Sequence, residues 1–135
     1  MLLRRWGLVW LLVAVIATTA SGCTGQDARL QKQREAFASL RATTARIGEA
    51  WLAGDVSGTY TCTAFDQTLR LLDLQRASLT ASPEALADAR GGHLSQNAER
   101  LSRLLALLMQ DVRRSDGSSA RTHLAELSAL PSELD

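Results

Sequence analysis

Few side chains in this sequence are suited to chemistry, and they lie far apart along the chain. The histidines are His93 and His123, and Met109 is the one methionine besides Met1. Met109 and His123 stand seven residues either side of Asp116. If two antiparallel helices turn there, the pair comes to one level, and a Met/His pair can ligate haem iron. Against this, a methionine flanking a leucine seam ordinarily fills core space, and the chain has no C-x-x-C-H attachment sequence. His123 and Glu126 are spaced i,i+3, the reverse of the Glu-x-x-His order of di-iron bundles, and no second copy occurs. Cys62 is either a thiol that reacts or links two copies of the chain, or a small buried hydrophobe beside Phe65 and Leu69. No Ser/His/Asp set is evident, and Gly91-Gly92 lacks the surroundings of a phosphate loop. The expectation is therefore a protein that is not an enzyme and needs no cofactor. A ligand, metal or haem-binding bundle built on Met109 and His123 is the alternative. A second kind of site is aromatic. Trp51, Gly54 and Tyr60 gather where two helices should turn, and Trp and Tyr are favoured anchors in protein contacts.

Helices must position these residues, because apolar residues recur at a 3-4 spacing and strand-type alternation does not persist. The first helix is expected over Asp27 to Ala53. Its seam is Leu30, Phe37, Leu40, Thr44, Ile47 and Trp51, with Gln33 filling the gap and Gly54 as the residue that ends it. The second runs from near Asp55–Thr59 to Thr80 on Cys62, Phe65, Leu69, Leu72, Arg76 and Leu79, with Leu71 and Leu74 widening the stripe. Ser82-Pro83-Glu84 is a helix-start signature. That helix should reach about Arg90 and break at Gly91-Gly92. The third long helix, Leu94 to Arg114, is the most apolar, with Leu101, Leu105, Leu108 and Val112 in its seam. Gly117 should end it and Ser118 or Ser119 should cap a short fourth helix, Ala120 to Leu130. Three long helices and one short one, joined by short connections, predict an all-α, antiparallel up-down-up-down bundle over residues 27–135. The Trp51/Tyr60 turn then lies one helix length from residue 27.

The start of the chain has a different character. Arg4 and Arg5 precede an uncharged, mostly apolar run from Trp6 to Ala17, followed by small and polar residues and Cys23. This is the layout of an export signal, and its apolar run is short of the roughly 20 residues a membrane-spanning helix needs. Ala20-Ser21-Gly22-Cys23 resembles the lipobox of bacterial lipoproteins, with Ala20 where leucine is usual. The resemblance covers the export segment alone. It implies cleavage after Gly22, a diacylglycerol thioether on Cys23 and an acylated (palmitate-type) amino group. Residues 1–22 are then a removable signal peptide, and residues 23–26 a short tether. Thr24 is not the aspartate that retains lipoproteins in the inner membrane of enterobacteria. In a Gram-negative organism this favours the outer membrane, facing the periplasm.

Loss of Arg4 and Arg5 takes the 15 basic residues below the 14 acidic ones, so the mature chain is close to neutral. Neutrality argues against a nucleic-acid partner, which needs a basic face, and against a polybasic membrane patch. With Cys23 lipidated, Cys62 is left without an intramolecular disulfide partner. The expected protein is a small lipid-anchored bundle of the cell envelope. It should act as an accessory, scaffold or regulatory module with a membrane-proximal protein partner, and a homodimer is also open.

Overall fold

A computed structural model describes residues 21–131 of the chain, with side chains from residue 25 onward. The signal segment up to Ala20 lies outside the described residues. Five helices follow in order: α1 Ser21–Leu52, α2 Gly58–Thr80, α3 Pro83–Ala87, α4 Ala89–Arg113 and α5 Gly117–Ser128. The fold is all-α. α1 with α2, α2 with α4, and α4 with α5 pack as antiparallel neighbours.

The long helix α1 spans about 48 Å at 1.5 Å per residue. Leu30, Phe37 and Thr44 are buried along it, and Leu40, Ile47 and Trp51 pack at the edge of the core. This is the seam expected from the spacing. The helix ends as expected too. Gly54 takes φ +78°, its N–H donates to the Trp51 carbonyl (3.0 Å), and the Asp55 N–H reaches back to Ala50 (2.9 Å). These are the paired bonds of a Schellman motif, which a residue with no Cβ forms without strain. The other end differs. Residues 23–26, read as a tether, belong to the first turns of α1. No proline stands there to stop a helix, and Gly25 weakens it without breaking it.

In α2 the expected seam holds at Phe65, Leu72 and Leu79, but Thr61 and Thr68 are buried where Cys62 and Leu69 were expected, and those two pack at the edge of the core. Thr61, Phe65, Thr68, Leu72 and Leu79 are inside, while Leu71 and Leu74 are 52% and 67% exposed. The two threonines can take core positions because each hydroxyl donates to a carbonyl of its own helix, Thr61 to Ser57 and Thr68 to Ala64, both at 2.8 Å. Thr44 does the same with Leu40. A buried hydroxyl satisfied in this way no longer needs water.

The break between α3 and α4 falls at Asp88, not at Gly91-Gly92. Asp88 has an extended backbone and its carboxylate accepts from the Arg90 N–H at 2.9 Å, capping α4. Gly91 lies inside α4 for a steric reason. A Cβ there would sit 1.8 Å from the Ala85 carbonyl oxygen, so α3 can fold back onto α4 only over a glycine. The α4–α5 turn also departs from expectation. Ser115, with φ +54°, ends α4, and Asp116 caps α5 by accepting from the Ser119 N–H at 3.0 Å. Gly117 is the first residue of α5. An aspartate competes well with serine for the capping position.

Phe65, Leu72, Leu101, Leu105, Leu108 and Leu127 are the largest fully buried side chains, so α4 lies at the centre of the core. The Leu101–Val112 stripe is therefore inside the chain and is not available to a second copy. Arg41 of α1 closes the far end of α5: its guanidinium donates to the Leu130 carbonyl at 2.7 Å and to Pro131 at 3.2 Å. Cationic donors are favourable at a helix C-terminus.

Candidate functional site

The α1–α2 turn carries the aromatic candidates. Trp51 is half-buried and packs against the core, and its indole Nε1 lies 3.8 Å from the position a Cβ would take on Gly58. Its ring thus covers the start of α2. Tyr60, in the first turn of that helix, is 57% exposed. Ser57 fixes this turn by accepting from the Tyr60 N–H at 3.2 Å. Trp51 is mainly a packing residue, and Tyr60 supplies the accessible ring.

The polar pair with the best-defined geometry is one the spacing argument passed over. Asp111, 6% exposed on α4, meets His123 Nδ1 on α5 at 2.5 Å. These two stand six residues either side of Gly117, which is where the antiparallel register centres. A centre at Asp116 instead directs His123 to Met109, two residues away on α4. Two residues turn a helix by about 200°, so Met109 and Asp111 leave α4 on opposite sides. Met109 packs against the core, and its carbonyl faces Cys62 of α2 at 3.9 Å. His123 on α5 pairs with Asp111. The structure thus separates Met109 and His123, and they do not form a ligand pair. Asp111 had a sequence signal, since it continues the buried row Leu104–Leu108 by three residues.

Cys62 is half-buried and not sealed in the core. It lines a surface hollow of about 440 Å³ with Thr59, Val112 and Arg113. His93 is exposed on α4. Among the described residues no three His, Cys, Asp or Glu groups lie close enough to hold a metal ion. The gap between Phe37, Leu72, Leu79 and Ala98 has room for about 10 Å³, too little for a cofactor. Among the described residues no helix is long and apolar enough to cross a membrane.

The end of the bundle nearest Cys23 is more polar. Arg90 of α4 binds Asp27 of α1 at 2.9 Å and Asp88 at 2.8 Å. Hydrogen bonds from the Arg90 side chain and backbone hold the Asp88 carboxyl down to about 2, below its ordinary 3.8, and the two carboxylates raise the guanidinium in turn. Beside this cluster a groove of about 720 Å³ opens between α1, the end of α2 and α3. Comparison with protein-family models, with curated proteins and with solved structures gave no match to this chain.

Proposed function

We propose that the mature chain is a lipid-anchored interaction module of the bacterial cell envelope, without catalytic activity of its own. The observation that carries this reading is the sequence Ala20-Ser21-Gly22-Cys23 behind Arg4-Arg5 and an apolar run. On this reading the signal is removed and Cys23 holds an up-down-up-down bundle by its diacylglycerol. Each buried CH₂ of the lipid contributes about 0.8 kcal/mol, and two or three chains anchor firmly. α1 then rises from the bilayer and carries the exposed Tyr60 ring at its far end, where a membrane-proximal protein partner can dock. If the organism is Gram-negative, Thr24 favours the outer membrane.

The test has two arms. Mass spectrometry of the purified protein should show a lipid-modified Cys23 as the first residue. Tyr60→Ala should release the envelope protein that co-purifies with the chain, while helicity and melting stay unchanged. An unmodified N-terminus upstream of Cys23 would falsify the anchor. A co-purifying set that ignores Tyr60→Ala sinks the docking role of the tip.

A further inference from the structure

The groove between α1, α2 and α3 carries charge on both of its helical walls. Arg29 and Lys32 lie on its α1 wall and Glu84 on its α3 wall. None of the three forms an ion pair among the described residues. Gln33 of α1 also lines the groove. Its Nε2 donates to Ser78 Oγ at 3.5 Å, while its buried Oε1 has no partner among the described residues. A buried amide edge left unpaired is costly, and turning the amide round leaves the other atom in the same position. The groove thus presents two cations on one wall and a carboxylate on the other, while the Gln33 amide edge is closed off from it. The exposed charges complement a small zwitterion, whose anion meets Arg29 and Lys32 and whose ammonium meets Glu84.

Position narrows the ligand. Gly25 and Gln26, which line the groove, follow Cys23 by two and three residues. On the lipid-anchored reading the groove therefore opens at the bilayer surface, among phospholipid headgroups. We infer that the groove between α1, α2 and α3 binds a phosphate ester carrying a primary ammonium group, as an ethanolamine phospholipid headgroup does. Exposed charges bind weakly by themselves. The anchor compensates by holding the groove where such headgroups are concentrated.

The experiment uses the full lipidated protein in neutral maltoside micelles and follows its melting temperature. Glycerophosphoethanolamine should raise the midpoint by a few degrees, because a ligand that binds the folded state alone stabilises it. Inorganic phosphate should do much less. The rise should vanish in the double variant Arg29→Gln, Lys32→Gln. It should also shrink in Glu84→Gln, which removes the partner of the ammonium group. A larger response to free phosphoethanolamine than to the glycerol ester would make the source a soluble solute and keep the site. No response to either ester, or equal responses to inorganic phosphate, overturns the proposal. The anchor is judged separately by membrane release of Cys23→Ser. A failed titration with normal release therefore removes the groove site alone.

Discussion

Ser115 is the one described residue other than glycine with a positive φ, at +54°. It holds the left-handed position of a second Schellman motif: its N–H donates to Val112 at 3.1 Å and that of Asp116 to Asp111 at 2.9 Å. A side chain there is strained, and glycine is not. Ser115→Gly should raise stability by about 0.5–1 kcal/mol, the difference between that relief and the entropy glycine adds to the unfolded chain. Urea melts of the two proteins measure it, and an unchanged or lower midpoint refutes the strain. Gly91 gives the opposite case. Gly91→Ala places a methyl 1.8 Å from the Ala85 carbonyl oxygen, so α3 must shift. A loss of about 1–3 kcal/mol is expected from such overpacking. At Asp111 and His123 the single alanine variants should each destabilise, and the double variant should lose less than their sum. The shortfall, about 1 kcal/mol or more, measures the buried hydrogen bond.

At the scale of elements, the α3–α4 junction is held by Asp88, which caps α4 and binds Arg90. Its carboxyl is held down to about 2, while in the unfolded chain it titrates at its ordinary 3.8. The unfolded state therefore takes up the proton first as pH falls. The stabilisation from Asp88 is complete above about pH 4 and is lost as pH falls through about 2. Amides at the start of α4 should exchange faster across that window, and Asp88→Asn should flatten the dependence. How far such junctions could be read in advance follows from what makes them. The α1 seam and its Gly54 stop were legible because period and propensity agree there. The α2 stripe was legible only at Phe65, Leu72 and Leu79, because Thr61 and Thr68 hide their hydroxyls in their own helix while Leu71 and Leu74 face water. The Gly91-Gly92 pair looked like a breaker, but its role is close contact with α3, which no local pattern reveals. The Asp111–His123 pair was missed by a register error of a single residue at the turn.

For the molecule as a whole, one helix supplies the centre and one residue is proposed to supply the address. Leu105 on α4 is fully buried in the core. Leu105→Asp would put an unpaired carboxylate there, at a cost of several kcal/mol that a bundle this small cannot absorb. Far-UV helicity and melting should both collapse, and retention of either would mean that the α4 seam faces outward. The anchor makes the complementary claim, since it lies outside the core. Cys23→Ser removes the sulfur that would carry the diacylglycerol and touches no core contact named above. Without that lipid, and with no membrane-spanning helix among the described residues, little is left to hold a processed chain on the bilayer. The variant should therefore leave the detergent phase in a partition assay, or accumulate uncleaved with its export segment intact, as sizing of its N-terminus will show. Wild-type detergent partitioning with normal cleavage after Gly22 would sink the lipid-anchored reading. It would leave the fold, and the charges of the groove, as they stand.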